Sequence, residues 1–364
     1  MTRGEMLERA IATVPSPDLD VAAQTARLLD AKTKPPGSLG RLEDLACRIA
    51  AIRGSVPHEP LEPAVVVAAA DHGVAAQGVS AYPQEVTAQM LANFAEGGAA
   101  ISVLSREAGA RLLVVDAGVI GGAAVNGVRT EIVDETRGTN DLSLGAAMTR
   151  STATGLIERG IALADELADG GIGIVGLGEM GIANTTSASA LTASLLPSQP
   201  SAVCGLGTGI DRERLSRKVK AVSRGLAMLE LRPDPDPIDV LAAVGGLEIA
   251  FLVGVTLGAT GRRIPVLLDG FITSAAALVA ARLRPATAGS LIAATRSPEP
   301  GHTLVLDALG LEPLLDLRLR LGEGTGAALA LPLVRSAIAV LTDMATFDAA
   351  GVSGPAEAPA PADV

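Results

Sequence analysis

The residue whose type and setting best suit acid–base chemistry is Glu323. It lies in the stretch RLGEGTG (320–326), between two glycines and before a long apolar run. Removal from water raises the pKa of a carboxyl group and makes it a better base near neutral pH. The sequence therefore favours a general base here. The plainer alternative is an exposed loop residue or a helix cap.

A glycine-rich stretch, GLGEMG (176–181), is followed by Asn184-Thr185-Thr186. It matches the GxGxxG pattern of dinucleotide-binding units, but that pattern is accompanied by an acidic residue about 20 positions later. Residues 196–201 (LPSQPS) contain no carboxylate. Asparagine and threonine at the start of a helix suit capping and anion binding. The stretch therefore favours a phosphate monoester over a dinucleotide.

A second glycine-rich stretch, GLGTG (205–209), has three alternate glycines that can expose backbone N–H groups to an anion. Lys218, in the helix predicted to follow, is placed to close on a phosphate bound there. The alternative for Lys218 is a position on a solvated helix face.

Two further sets of residues could also do chemistry. Asp71-His72 follows a predicted strand and suggests an acid–base pair, but a loop histidine satisfied by its neighbours explains it as well. No nucleophilic Ser or Cys accompanies the pair in a known motif. Cys47 and Cys204 lack metal-ligand spacing and are expected to be buried thiols in a reducing cytosol. The three histidines are far apart, so we expect no metal site.

These residues mostly follow short apolar runs that end in Asp or Gly and precede helical segments. Strands that are apolar on both faces belong to parallel sheets covered by helices, which bind ligands at the carboxyl ends of the strands. The sequence thus predicts an α/β fold, a Rossmann-like parallel sheet with helices on both faces. The sheet domain is predicted at 60–330, a small helical subdomain at 1–59 and 331–353, and a disordered tail at 354–364. The runs are 64–70, 111–118, 173–178 and 264–270.

Composition excludes other classes of protein. The 364 residues carry a net charge of -11 and only 1% aromatic residues, which argues against nucleic-acid binding. The weakly polar stretch 249–261 is too short for a membrane span, which needs about 20 residues. Glu5 and Glu8 interrupt the N-terminal stretch where an export signal would be apolar. We therefore expect a cytoplasmic protein.

In its motifs the chain resembles the nicotinate-nucleotide:dimethylbenzimidazole phosphoribosyltransferases, which act in the lower-ligand branch of cobalamin synthesis. The resemblance extends in order from about residue 5 to residue 353. Two positions depart from the family pattern: Ala183 stands where Gly is usual, and Ala294-Thr295 where many members have Ser-His. The motifs are KPPGSLGRLE (34–43), ADHGV (70–74), GEMGI (178–182) with NTT (184–186), GTG (207–209), LDGF (268–271), EPGH (299–302) and RLGEGTG (320–326).

The resemblance implies transfer of the 5-phosphoribosyl group of nicotinate mononucleotide to 5,6-dimethylbenzimidazole, with inversion at the ribose carbon. It implies that Glu323 is the general base, that Glu179 lies near the ribose hydroxyls, and that the protein is a homodimer without metal or bound cofactor. The implied benzimidazole pocket comprises Ser80, Tyr82, Gln89, Met180 and Leu321, with Gly322 as a further substrate contact. The implied phosphate site comprises Gly181, Ile182, Asn184, Thr185, Thr186, Gly207, Thr208, Gly209 and Lys218.

Three alternatives stay open from the residues alone. The first is a dehydrogenase that uses the GxGxxG stretch, which the missing carboxylate disfavours. The second is a non-catalytic nucleotide-binding protein, against which the presence of Glu323 argues. The third is the same transfer to another base, such as adenine or a phenol.

Overall fold

In the computed structural model, the chain is described at residues 3–121, 125–196, 198–229 and 235–354. It divides into two compact units. One comprises Met1–Ser16 and Glu62–Leu331, and the other comprises Pro17–Leu61 and Pro332–Val364. The predicted disordered tail lies, apart from Gly354, outside the described residues.

The larger unit is built on a six-stranded, all-parallel sheet of order β3-β2-β1-β4-β5-β6. This is the strand order of a Rossmann-type sheet, in which the order reverses between β1 and β4. The predicted fold class is therefore confirmed. The strands are β1 (Pro63–Ala70), β2 (Arg111–Gly118), β3 (Val128–Thr130), β4 (Ile174–Met180), β5 (Val266–Leu268) and β6 (Leu291–Ala293).

Helices of this unit cover the sheet and leave β1 buried along its whole length. The helix at 247–261 contacts four strands and is itself buried over almost all its residues, which explains its apolar sequence. The helices are α1 (Glu5–Thr13), α4 (Val86–Ala95), α5 (Ala100–Glu107), α6 (Arg150–Asp169), α7 (Asn184–Leu195), α8 (Pro200–Val203), α9 (Arg212–Met228), α10 (Pro237–Val244), α11 (Leu247–Gly261), α12 (Phe271–Leu283) and α13 (Pro300–Leu309).

The smaller unit is helical, with α2 (Leu19–Asp30), α3 (Arg41–Arg53) and α15 (Phe347–Ala350). Asp18 caps α2 by accepting the backbone N–H groups of Asp20 and Val21, each at 3.1 Å. Lys34 and Glu43 form a buried ion pair at 2.8 Å. The long helix α14 (Thr325–Asp343) begins in the larger unit and passes into the smaller one at Pro332.

One boundary differs from the sequence expectation, which placed all of 1–59 in the helical subdomain. Helix α1 belongs to the unit that contains the sheet. Leu7 and Ala10 are buried, and α1 contacts α6 and α11. Glu158 of α6 accepts the N–H groups of Gly4 and Met6 at 2.8 and 3.1 Å. Helical periodicity shows that a face is buried but does not reveal what buries it.

Among the described residues, α14 alone is long and apolar enough for a membrane span by length and composition. It is longer than the stretch that the sequence analysis considered. About half of it is buried inside the protein, and the buried core helix of a soluble protein meets the same criteria, so the feature is weak evidence for a membrane.

Candidate active site

A cavity of about 590 Å³ opens at the carboxyl ends of the strands, beside the ends of β4 and β5. It lies where a Rossmann-type sheet binds its ligands. Four carboxylates line it: Glu179, Asp269, Glu299 and Glu323. Glu179 lies at the end of β4, and Asp269 directly follows β5. Glu299 precedes α13, and Glu323 lies in the turn before α14.

Glu323 is held by a tight turn. The residue has a left-handed backbone with φ of 63°, and its neighbours Gly322 and Gly324 have φ of 88° and 89°. The turn lies directly on β4, because a Cβ atom at Gly178 would stand 2.4 Å from the Glu323 carbonyl oxygen. Glycine in the middle of β4 thus permits the close approach that places the carboxylate at the cavity.

The Glu323 side chain is buried, with 6% of the residue exposed. Burial raises the pKa of its carboxyl group, and one long hydrogen bond of 3.4 Å from the Ile101 N–H acts in the opposite direction. A partly desolvated carboxylate with so little hydrogen-bonding support suits a general base near neutral pH.

Asp269 connects the end of β5 to the start of α14. Its carboxylate accepts the backbone N–H groups of Gly326 at 2.5 Å, Gly324 at 3.2 Å and Ala327 at 3.3 Å. Burial raises its pKa to about 7, with the charge of Glu323 adding to the effect, while the three N–H groups oppose it. Asp269 therefore anchors the backbone on the C-terminal side of Glu323.

Glu179 is a second carboxyl group of the cavity whose pKa is strongly raised. Burial raises its pKa to about 8, the charges of Asp269 and Glu323 add to this, and a hydrogen bond from the Asn184 side-chain amide opposes it. Glu179 is therefore mostly protonated at pH 7. A neutral Glu179 lets Glu323 hold its negative charge in the same cavity.

Another part of the cavity wall is formed by Gly207 and Thr208 of the loop at 205–209, and Lys218 lies behind this loop. This lysine is 1% exposed, so it does not lie on a solvated helix face. Its ammonium group donates to Thr185 Oγ1 and to the Gly205 carbonyl oxygen, both at 3.0 Å. Burial lowers its pKa, and the charge of Glu299 acts in the opposite direction. The positive charge thus lies directly behind Thr185 and Gly207, which line the cavity.

The sequence pattern predicts that the alternate glycines expose free N–H groups. In the structure, the N–H groups of Gly207 and Gly209 are already hydrogen-bonded. The Gly207 N–H donates to Glu299 Oε1 at 2.7 Å, and the Gly209 N–H donates to the Leu206 carbonyl at 3.0 Å. A carboxylate from a distant part of the chain therefore occupies one position of the predicted anion site.

Most of the site residues implied by the resemblance come together around the cavity. On α4, Val86 and Met90 line it, whereas Gln89 points elsewhere and is exposed. Ser80 accepts the Tyr82 N–H at 3.2 Å, and Thr186 is fully buried. Those that line the cavity are Tyr82, Glu179, Met180, Gly181, Ile182, Asn184, Thr185, Gly207, Thr208, Leu321, Gly322 and Glu323. Those outside the lining are Ser80, Gln89, Thr186, Gly209 and Lys218.

His72 is placed away from this chemistry. It is fully buried, and its ring nitrogens pair with Ser187 Oγ at 3.0 Å and Glu248 Oε1 at 2.8 Å. It does not line the cavity. This arrangement fits the plainer interpretation, a histidine whose two ring nitrogens are both hydrogen-bonded. The partners are side chains rather than neighbouring backbone groups.

Sequence reasoning assigned no role to several cavity residues. Asp269 could have been suspected, because it ends an apolar strand run in LDGF. Thr295, one of the departures from the family pattern, donates its hydroxyl to the Asp269 carbonyl oxygen at 2.8 Å. Glu299 carried no signal beyond its motif. The unassigned lining residues are Val86, Met90, Asp269, Gly270, Phe271, Ile272, Thr273, Thr295, Ser297, Glu299, Arg318, Leu319, Arg320 and Thr325.

Comparison with known proteins gives a consistent result. A family model described as "Phosphoribosyltransferase" matches residues 14–352. The nicotinate-nucleotide–dimethylbenzimidazole phosphoribosyltransferase of Chloroflexus aggregans is 53% identical over 344 residues, 93% of this chain and 96% of that protein. The protein of the same name from Salinispora tropica is 49% identical over 363 residues, 96% of this chain and 99% of that protein.

A crystal structure described as the same enzyme from Thermus thermophilus superposes with a TM-score of 0.86 at 46% identity, covering 93% of this chain and 100% of that one. The residues that the family model matches, 14–352, include the whole cavity lining. The chain therefore belongs to the nicotinate-nucleotide–dimethylbenzimidazole phosphoribosyltransferase family.

Proposed function

We propose that this chain transfers the phosphoribosyl group of nicotinate mononucleotide to 5,6-dimethylbenzimidazole, forming α-ribazole 5′-phosphate and nicotinate. The observation that carries the proposal is the buried carboxylate of Glu323 at the cavity, in a chain whose relatives bear the name of this enzyme.

The reaction needs a base and no acid. When the bond between the ribose C1′ and nicotinate breaks, its electron pair neutralises the pyridinium nitrogen, so the leaving group takes no proton. One benzimidazole nitrogen forms the new bond to C1′, and the proton on the other nitrogen must be removed. Glu323 accepts that proton. Attack on the face opposite nicotinate inverts the configuration at C1′.

The neighbouring acids support this assignment through their charge. Glu179 and Asp269 have pKa values raised to about 8 and about 7 by burial. Each therefore holds a proton for at least part of the time near pH 7, which lowers the negative charge around Glu323. In its protonated form Glu179 can donate a hydrogen bond to a ribose hydroxyl.

Substrate placement follows from the two parts of the cavity. The apolar side chains of Met90, Met180, Ile182 and Leu321 are positioned to contact the benzimidazole. The nucleotide phosphate takes the side formed by Thr185, Gly207 and Thr208, with Lys218 behind them. Ser80, Gln89, Thr186 and Gly209 then act, if at all, from outside the cavity lining.

Two further expectations remain part of the proposal. We propose that the protein is a homodimer, as the family resemblance implies, and that it works in the cytoplasm, as its N-terminal stretch and its cysteines suggest. Sedimentation equilibrium at several protein concentrations tests the first: a mass of twice 36.5 kDa is expected, and a monomer at all concentrations would contradict it.

The decisive assay of the function supplies nicotinate mononucleotide with a panel of acceptors and follows nicotinate release by chromatography. The panel contains dimethylbenzimidazole, benzimidazole, adenine and a phenol. Glu8→Gln is the matched control, because Glu8 is exposed on α1 and does not line the cavity.

Release dependent on benzimidazoles is the expected result, at equal rates for the wild type and Glu8→Gln. Release only with adenine or a phenol would favour the alternative, in which the phosphoribosyl group is transferred to that base. No release with any acceptor would contradict the enzyme assignment.

A further inference from the structure

Glu299 has an unusual position in the cavity wall. It is 6% exposed, and its Oε1 accepts the Gly207 N–H at 2.7 Å. Within the described parts of the chain, its Oε2 is buried and has no hydrogen-bond partner. Buried carboxylate oxygens are rarely left unpaired, because their desolvation is costly. The free oxygen therefore points to a ligand or a proton.

The local backbone is shaped around this carboxylate. A Cβ atom at Gly205 would lie 2.6 Å from all three atoms of the Glu299 carboxyl group. A Cβ atom at Gly207 would lie 3.6 Å from Lys218 Nζ. The lysine and the carboxylate thus flank the same short loop, and before a nucleotide binds their opposite charges offset each other.

A phosphate dianion placed on this loop disturbs that balance. The phosphate gains the attraction of Lys218, but it also lies close to the unpaired oxygen of Glu299. Like charges that are close together in a buried site repel strongly. The repulsion is removed when Oε2 takes a proton from solvent and donates it in a hydrogen bond to a phosphate oxygen. Oε1 keeps the Gly207 N–H throughout.

The other titratable groups around Glu299 come from four elements. Burial raises the pKa of Cys204, at the end of α8, to about 11 and lowers that of His302, in α13, to about 4. Both are therefore neutral at pH 7. Lys218 of α9 lies behind the loop, and Arg320 reaches it by donating to the Thr208 carbonyl at 3.0 Å. The remaining neighbours across the cavity are the carboxyl groups of Glu179, Asp269 and Glu323.

We infer that binding of the nucleotide phosphate is coupled to the uptake of one proton by Glu299. The inference rests on the proposed function, because it places the phosphate of nicotinate mononucleotide on the loop at 205–209. It makes Glu299 a positioning residue for the phosphate rather than a catalytic residue.

Isothermal titration calorimetry in two buffers of different ionisation enthalpy, neither of them phosphate, tests the inference. The protein is titrated at pH 7.5 with nicotinate mononucleotide, a phosphate monoester whose second pKa is about 6, and separately with inorganic phosphate, whose higher second pKa is included in the proton count. The variants are Glu299→Gln, whose amide oxygen can still accept the Gly207 N–H, and the exposed control Glu8→Gln.

The expected result for the wild type and Glu8→Gln is an uptake of about one proton per bound ligand, and for Glu299→Gln close to none. Equal proton uptake in Glu299→Gln would assign the proton to phosphate or to another carboxyl group and overturn the inference. Nucleotide binding without proton uptake in the wild type would also overturn it, while leaving the proposed function intact.

A second measurement does not depend on the variant folding. The dissociation constant of the wild type for the nucleotide should rise about tenfold per pH unit between pH 7 and 8, as uptake of one proton requires. A dissociation constant independent of pH would overturn the inference. If inorganic phosphate binds with proton uptake but the nucleotide does not bind, the proposed function fails and the proton coupling of the loop stands.

Discussion

At the scale of single residues, the site has two regions in which carboxyl groups set the local charge. Near the acceptor base, the raised pKa values of Glu179 and Asp269 reduce the negative charge around Glu323. Near the phosphate, Lys218 and Glu299 offset each other across a glycine loop. The first arrangement follows from burial, and the second from two buried groups of opposite charge. Each can be tested by removing one group.

Replacing Glu323 by Gln should reduce kcat by about 10²–10⁴, the range for loss of a general base. The nucleotide dissociation constant should change little, because the amide has nearly the same size and still accepts a hydrogen bond. Steady-state kinetics with calorimetric binding measures both, and Glu8→Gln serves as control. A variant with near-normal kcat would refute the assignment of the base.

Because burial raises the pKa of Glu323 above its ordinary value of 4.5, kcat/KM should rise with pH through that raised pKa. Below it the base is protonated and cannot accept the benzimidazole proton. A pH–rate profile in buffers of constant ionic strength shows this acid limb. A profile flat down to pH 4.5 would mean that proton removal does not limit the reaction or that another group performs it.

Replacing Lys218 by Met should raise the KM for nicotinate mononucleotide about 10–100-fold, since hydrogen bonds involving charged groups contribute about 1.5–3 kcal/mol. Methionine fills most of the buried space, which limits the loss of packing. Lys220→Ala, exposed on the same helix, is the control. An increase confined to the KM for dimethylbenzimidazole would contradict the phosphate role.

The sequence identified much of this site but not all of it. Glu323 could be selected because a lone carboxylate among glycines and apolar residues has few structural uses. Glu299 could not, because its partner Gly207 lies 92 positions away and only folding brings the two together. Gln89 shows the opposite error, a residue that the sequence analysis included in the pocket but that does not line it. On α4 the face towards the cavity carries Val86 and Met90, and Gln89 lies on another face.

At the scale of elements, strand ends and helix starts position the functional groups. Glu179 ends β4, Asp269 follows β5, and Asn184 begins α7. Strands β1, β2, β4 and β5 were predictable because each lies largely within one of the four apolar runs of the sequence. The three-residue strands β3 and β6 lie outside those runs.

The start of α7 is conformationally strained at Ala183, the position at which the family usually has Gly. Its φ of 77° lies in the left-handed region, which costs an L-residue about 1–2 kcal/mol. Ala183→Gly should therefore stabilise the protein by about 0.5–1 kcal/mol after the greater freedom of glycine in the unfolded chain is subtracted. Urea denaturation measures the change.

The matched control is Ala188→Gly, in the buried interior of the same helix. It should destabilise the protein by about 1 kcal/mol or more, because glycine is unfavourable within a helix. Equal destabilisation by both substitutions would show that Ala183 is not strained.

At the scale of the whole molecule, protonated carboxyl groups in the cavity link stability to pH. The pKa of Glu179 is about 8 in the folded protein, against 4.5 for an unperturbed glutamate. The folded state therefore binds the proton more tightly. The corresponding stability is fully present below pH 4.5 and is lost as the pH rises towards 8.

Glu179→Gln removes this contribution. The free energy of unfolding of the wild type should fall with pH between about 5 and 7, and the variant should show a slope shallower by up to about 1.4 kcal/mol per pH unit. Urea denaturation across this range, with Glu8→Gln as control, measures the slopes. Identical slopes for wild type and Glu179→Gln would mean that Glu179 is ionised in the folded protein.

At this scale, amino-acid composition indicates how the cavity can contact its substrates, but sequence patterns do not indicate to which unit a helix belongs. A composition with 1% aromatic residues leaves few rings to stack on substrate bases, and among the described residues only Tyr82 and Phe271 contribute rings to the cavity lining. The assignment of α1 to the helical subdomain was less successful, because amphipathic helices of either unit have the same pattern.

The most direct test of the central claim identifies and quantifies both products of the wild-type reaction. Purified protein is incubated with nicotinate mononucleotide and dimethylbenzimidazole, and the products are analysed by chromatography and proton NMR. The account predicts nicotinate and ribazole 5′-phosphate in a ratio of one to one, with the ribosyl bond in the α configuration. Ribose 5-phosphate in place of the ribazole, or a β-configured product, would contradict direct transfer with inversion.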